Sequence, residues 1–288
     1  MLYFEKYHGT GNDFIILNGI ENNYQNPSQL AKEICDRHYG IGADGLMVVK
    51  ESTSSDVKME FYNADGTIAP MCGNGIRCFT KFVYDQNIVN KPVFTIETLA
   101  GTMKVSVTRF DQAGISQIRV NIGKPSYDLS QMAVDSHNNR FLDQFIEVEG
   151  TNIPCSVLTM GTLHCVIFVK DIDYLDIDKY GSLIESHPMF PEKINVNFVE
   201  IIDLNNIKVR TYERGVGPTL SCGTGSAASA VIGHKLKGLN PMIYVHLLGG
   251  TLLIEIDDDI YLNGPANLIC KGYFNDQNES RGVSYEKS

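Results

Sequence analysis

The chain has 288 residues, 43% of them hydrophobic and 20% charged, which is globular usage and excludes wholesale disorder. Subtracting 34 acidic from 24 basic side chains gives a formal charge of -10, which disfavours a nucleic-acid backbone or an anionic membrane as partner, because both call for clustered cations.

The opening residues, Met1 to Phe14, show no basic segment leading into an apolar one, so a secretory signal is not expected. No apolar run approaches the roughly 18 residues of a spanning helix. Seven cysteines scattered along the sequence make a poor disulfide framework. The expectation is a cytoplasmic protein with reduced thiols.

In chain order, strand-like runs occur at Phe14–Leu17, Leu46–Val49, Lys58–Tyr62, Val93–Ile96 and Ile118–Ile122. Helical patterns fall over Pro27–Asp36 and Gly75–Asp85. A polar stretch from Gly123 to His137, containing Pro125, marks a boundary and divides the chain into domains 1–124 and 125–288. Beyond it lie strands at Cys165–Val169, Val196–Ile201, Ile207–Tyr212, Ile243–Leu247 and Leu252–Ile256, with helices over Leu175–Glu185 and Gly225–Lys237. Many strands and few helices predict a mixed α/β or α+β protein rich in β-structure.

The sequence also echoes itself. Cys72-Gly73-Asn74-Gly75 opens one helical stretch and Cys222-Gly223-Thr224-Gly225 opens another, 150 residues later (222 minus 72). Two similar, pseudo-twofold-related domains, each presenting a cysteine at the start of its central helix, would account for this.

A helix N-terminus offers unpaired N–H groups and a partial positive charge, and glycines let a ligand approach them. Such a site suits a carboxylate and favours a thiolate over the thiol, whose ordinary pKa is about 8.5. Two such thiols facing one another across a cleft could take an α-proton from one face of a carbon acid and return one to the other. The carbanion would be stabilised by the backbone N–H groups of both helix starts, with no pyridoxal phosphate, metal or other cofactor required. Cys35, Cys78, Cys155, Cys165 and Cys270 are assigned to packing or surface. Zinc is not expected, since no compact Cys or His pairs complete a ligand set. A disulfide between Cys72 and Cys222 would be an oxidised off state.

These residues resemble the diaminopimelate epimerase family along essentially the whole chain. The likeness rests on Lys6-Tyr7-His8-Gly9-Thr10-Gly11-Asn12-Asp13-Phe14, the run Asp36 to Gly45, Phe61-Tyr62-Asn63-Ala64-Asp65-Gly66, Met71 to Cys78 and Thr98-Leu99-Ala100-Gly101. It continues through Ile194-Asn195-Val196-Asn197-Phe198, Tyr212 to Gly217 and Cys222 to Gly225. The resemblance implies two α/β domains, each a curved mixed or antiparallel sheet around a central helix. It implies cofactor-independent epimerisation of LL- and meso-diaminopimelate for lysine and peptidoglycan precursors, with Cys72 and Cys222 as the acid/base pair. Gly73, Asn74, Gly223 and Thr224 would then give backbone N–H groups to the reacting carboxylate. Asn12, Asn63, Asn195 and Arg214 would hold the substrate, Arg214 through the paired hydrogen bonds of its guanidinium. Glu213 and His164 match groups near the thiols that assist proton traffic or take the substrate ammonium.

For Asn12 and Asn63 the plain alternative is turn capping, and for Glu213 and Arg214 a solvated ion pair. Four positions depart from the family pattern. Thr162-Leu163 stand where Asn-Pro is usual before His164, Pro218 replaces a Glu, and Leu248 replaces a Pro before Gly249. Pro218 falls in the second cysteine loop, yet none of these touches the thiols or the helix starts; Thr162 exchanges a substrate-contacting amide for a shorter hydroxyl, and the departures bear on the distal end of the substrate. A racemase of another amino acid, such as histidine, is therefore a second reading. A non-catalytic amino-acid sensor is a third, which two mirrored thiols disfavour, and their presence equally disfavours a cysteine-free isomerase of the same fold. The partner expected is a small amino-acid substrate, and homodimers are the commonest assembly, although no surface stripe in the sequence argues for one.

Overall fold

The computed structural model describes residues 1–111, 114–136 and 138–275. His137, the end of the polar stretch read as a boundary, lies outside them. The first elements are β1 (Leu2–Gly9), β2 (Asn12–Asn18), α1 (Pro27–Ile34), β3 (Gly45–Lys50), β4 (Val57–Asn63) and α2 (Gly73–Asp85). Next come β5 (Val93–Thr98), β6 (Gly101–Asp111), β7 (Gly114–Asn121), β8 (Phe141–Val148), β9 (Thr151–Thr159) and β10 (Leu163–Phe168). The last are α3 (Ile177–Glu185), β11 (Asn195–Asp203), β12 (Asn206–Glu213), β13 (Gly217–Thr219), α4 (Gly223–Lys237), β14 (Met242–Leu247), β15 (Gly250–Ile256), β16 (Ile260–Gly264) and β17 (Asn267–Phe274). This is a strand-rich mixed fold, as expected, and among the described residues no helix is long and apolar enough to cross a membrane.

Two compact units emerge. Among the described residues, one comprises Met1–Gly9, Asp13–Thr102 and residues 266–275; the other comprises Thr10–Asn12 and the described part of Met103–Pro265. Strand pairing explains the interleaving. β17 runs antiparallel to β1 in the first unit, and β7 runs antiparallel to β16 in the second.

The two units repeat one topology at a fixed spacing. In the first, β2 is parallel to β3 with Phe14 opposite Gly45, and β3 is antiparallel to β4 with Leu46 opposite Tyr62. In the second, β10 is parallel to β11 with His164 opposite Asn195, and β11 is antiparallel to β12 with Val196 opposite Tyr212. Adding 150 to 14, 45, 46 and 62 gives 164, 195, 196 and 212, the same offset that separates the two cysteines. Helix α1 connects β2 to β3, and α3 connects β10 to β11.

Each unit buries one helix along most of its length. In α2 every residue from Asn74 to Val83 is buried, and in α4 so are Gly223 and Gly225 through Gly233. The sequence of α4, rich in Gly, Ala and Ser, has no wide polar stripe, which is the pattern of a helix enclosed on all sides. Its hydroxyls are satisfied inside the helix: Ser226 donates to Cys222 O and Ser229 to Gly225 O, while Thr80 does the same to Ile76 O in α2. Around α4 pack Val199, Val209, Ile243, Val245, Leu252 and Ile254, each fully buried aliphatic contributing about 1.5–3 kcal/mol of burial free energy.

Candidate active site

Cys72 is the N-cap of α2. Its backbone is extended (φ -135°, ψ 125°), and its Sγ accepts the Gly75 N–H at 3.4 Å. The thiol thus occupies the capping position usually filled by Ser or Asp, at the positive end of the helix. Gly75 is required by packing, since a Cβ there would overlap Met47 Cε and press on Phe14. Below the cap, Arg77 is completely buried; it donates to Gly73 O at 2.8 Å and to Asn74 Oδ1 at 3.0 Å. Burial pulls this guanidinium down to about 10, and the nearby Cys78 and Cys72 sulfurs work against that shift. Asn63 ends β4, where its Nδ2 donates to Thr67 Oγ1 at 2.9 Å across a tight turn.

Cys222 repeats the arrangement at α4, with φ -127° and ψ 115°, and Gly225 N–H again donates to Sγ at 3.4 Å. A Cβ on Gly225 would overlap Asn197 Oδ1. The Thr224 hydroxyl lies 3.5 Å from Cys222 Sγ. Thr10–Asn12 groups with this loop: the Thr10 hydroxyl donates to Ser221 Oγ at 3.0 Å, and a Cβ on Gly11 would meet Leu220. Thr10 and Gly11 both have positive φ (53° and 94°), the geometry of a two-residue hairpin turn, which leaves a β-branched residue in a strained region next to the site.

The second unit gathers the other expected site residues. Asn195 donates from Nδ2 to Leu163 O at 2.8 Å and accepts the Arg214 N–H at 3.0 Å, so its amide ties the start of β10 to the end of β12. Glu213 and Arg214, neighbours at the end of a strand, diverge. Glu213 accepts the Thr219 hydroxyl at 2.8 Å, and burial raises its carboxyl against hydrogen bonds from Thr219 and Cys222. Arg214 is exposed, and its guanidinium donates to Glu192 O at 3.3 Å. His164 is fully buried, and burial, assisted by the Arg214 charge, pulls it down to about 3, so the imidazole is neutral.

Two participants were not singled out from sequence. Asn197, fully buried, donates to Cys165 O and faces His164 Nδ1, while its Oδ1 accepts the Thr211 hydroxyl. The signal was present: Asn195 and Asn197 share one face of β11 by two-residue alternation, set among Val196, Phe198 and Val199. Arg77 is the other, a cation inside a helix whose neighbours are apolar.

Of the remaining thiols, Cys35, Cys78, Cys155 and Cys165 are buried and Cys270 is exposed. Burial pushes Cys35 and Cys78 up to about 12, which leaves them protonated and inert. A cavity of about 940 Å³ in the first unit, lined by Tyr3, Tyr24, Glu33 and Tyr273 among others, includes none of the site residues.

The chain has relatives among known proteins. The diaminopimelate epimerase family model matches residues 4–127 and 156–269. A diaminopimelate epimerase of Alkaliphilus metalliredigens is 46% identical over 274 residues, covering 94% of this chain and 96% of the relative. One from Methanothermobacter thermautotrophicus is 40% identical over 281 residues, covering 94% and 98%. Among solved structures, a probable proline racemase from Agrobacterium radiobacter superposes with a TM-score of 0.68 at 14% identity, over 96% of this chain and 93% of that one. A hydroxyproline epimerase from Agrobacterium vitis gives 0.68 at 14%, over 94% and 91%. At such identities the structures speak for the fold alone. The sequence relatives go further: this chain belongs to the diaminopimelate epimerase family of isomerases.

Proposed function

We propose that the chain epimerises diaminopimelate, interconverting its LL and meso forms without a cofactor, as a cytoplasmic step toward lysine and peptidoglycan precursors. One cysteine, as thiolate, takes the α-proton from one face of the carbon, and the other, as thiol, delivers its proton to the opposite face. Charge and atoms balance, since one proton leaves and one returns while the two sulfurs exchange protonation states. The carbanion is delocalised into the α-carboxylate, which the first-turn N–H groups at Gly73, Asn74, Gly223 and Thr224 are suited to bind. Glu213 and His164 attend the Cys222 side, while Arg214, with Asn12, Asn63 and Asn195, recognises the distal amino-acid end.

The observation that carries this reading is the pair of matched cysteine caps, each with its Sγ 3.4 Å from the N–H of the glycine three residues on. A helix needs no cysteine there for stability, because Ser or Asp caps better. Thr162, where the family has an amide, favours one competing substrate reading, a racemase of another amino acid such as histidine. Incubating the protein with LL-diaminopimelate and, separately, with L-histidine, then resolving stereoisomers chromatographically, decides between them. The meso isomer is expected from the first and no D-histidine from the second; absence of meso product overturns the assignment.

A further inference from the structure

The second unit holds a chain of hydroxyls that the mechanism above leaves unused. His164 Nε2 lies 2.9 Å from Thr162 Oγ1, which lies 3.3 Å from Thr224 Oγ1, which in turn lies 3.5 Å from Cys222 Sγ. Its direction is fixed at the buried end. Asn197 Nδ2 donates to Cys165 O at 3.2 Å while its Oδ1 accepts the Thr211 hydroxyl at 3.0 Å, so the amide has one orientation. That NH2 faces His164 Nδ1 at 3.1 Å, which makes Nδ1 the acceptor. A neutral imidazole carries one ring proton, so it sits on Nε2 and is donated to Thr162. With its oxygen accepting that bond, the Thr162 hydroxyl has its own hydrogen available for Thr224 Oγ1, and the Thr224 hydrogen is then available for Cys222 Sγ.

We infer that Thr162 is a positioning residue, acting through the Thr224 hydroxyl to keep a hydrogen-bond donor aimed at the Cys222 sulfur and so to favour its thiolate. The inference rests on the reading of Cys222 as an acid/base thiol. Other groups in this unit act on the same sulfur. From α4 itself, Gly225 N–H donates at 3.4 Å. From β12, the Glu213 carboxyl takes a hydrogen bond from the Cys222 side chain and favours the thiol. From β10, His164 contributes no charge, and the Arg214 charge acts to keep it neutral. The hydroxyl chain and Glu213 therefore oppose one another, and removing the chain shifts Cys222 toward the thiol. The residues of this hydroxyl chain are not repeated in the first unit: 150 positions earlier, Phe14 stands for His164, Asn12 for Thr162 and Asn74 for Thr224.

Thr162→Val removes the hydroxyl at nearly constant shape. Iodoacetamide labelling of each cysteine, read by peptide mass spectrometry from about pH 6 to 10, brackets the roughly 8.5 of an ordinary thiol. The labelling midpoint of Cys222 is expected to rise by about half a pH unit in the valine variant, the lower end of one hydrogen bond's worth. The Cys72 midpoint should stay in place, and Thr162→Ser should restore Cys222. A Cys222 midpoint unchanged by valine, or a serine variant that behaves like valine, overturns the inference. Labelling consumes no substrate, so a shifted midpoint in a protein that forms no meso product would sink the proposed function and leave the positioning role standing.

Discussion

Helices α2 and α4 begin alike and rest on different floors. Both are capped by a cysteine in nearly the same backbone conformation, and both place a glycine against a side chain of the facing strand. Beneath Cys72 that surface is Met47 and Phe14; beneath Cys222 it is Asn197, with His164 hydrogen-bonded beside it. The first helix carries a buried arginine, Arg77, where the second has Ala227, also at an offset of 150. A duplicated scaffold has kept the helix start, which holds the sulfur, and varied what surrounds it.

The widest break in the comparison comes from removing either sulfur. Cys72→Ala and Cys222→Ala are each expected to lower epimerisation by about 10³-fold or more, because each deletes one of two proton-transfer groups. Calorimetric binding of substrate should persist in both variants; a variant retaining a tenth of the activity would remove that cysteine from the mechanism.

A smaller effect separates the two floors. Gly75→Ala meets the flexible end of Met47, whereas Gly225→Ala meets an Asn197 amide pinned by three partners. Overpacking costs about 1–3 kcal/mol, partly offset by the roughly 1 kcal/mol helix preference of Ala over Gly. Denaturant unfolding should show the Gly225 variant destabilised by about 2 kcal/mol more than the Gly75 variant, and equal losses would mean the polar floor is as yielding as the apolar one.

Acid should also discriminate between the units. His164 is depressed from 6.5 to about 3 in the folded protein, so between those values only the unfolded chain takes up its proton. Its contribution to stability is complete above 6.5 and declines as pH falls toward 3, about 2 kcal/mol being lost by about pH 5. The matching residue in the first unit, Phe14, does not titrate. Amide exchange at about pH 5, corrected for intrinsic rates, should show β10 and β11 losing more protection than β2 and β3; parallel losses would contradict the assignment of this lability to His164.

Much of the architecture was legible because apolar runs bounded by Gly, Asn and Asp mark strands without reference to partners. The ten strands and four helices read from periodicity are all found. The strands that escaped depend on distant partners. β1 interrupts its aromatic residues with Glu5, which is buried because Tyr3, Tyr7 and Gln86 all donate to it, and Gln86 is 81 positions away. β9 contains Pro154, which argues against a strand until its pairing with β8 is known. At the site, the cysteine caps could be read locally, from glycines at fixed spacing. The environment of His164 could not, because Thr162, Asn197 and Thr224 converge on it and on Cys222 from different elements.

The central claim, that two sulfurs serve opposite faces of one carbon, is tested most directly by isotope. LL-diaminopimelate is converted in deuterium oxide and stopped at low conversion, and both stereoisomers are analysed by mass spectrometry. The meso product should carry one deuteron at the inverted carbon while unreacted LL substrate carries almost none, since the proton removed and the deuteron added sit on different thiols. Deuterium appearing equally fast in recovered substrate and product would mean a single group handles both faces and would contradict the account.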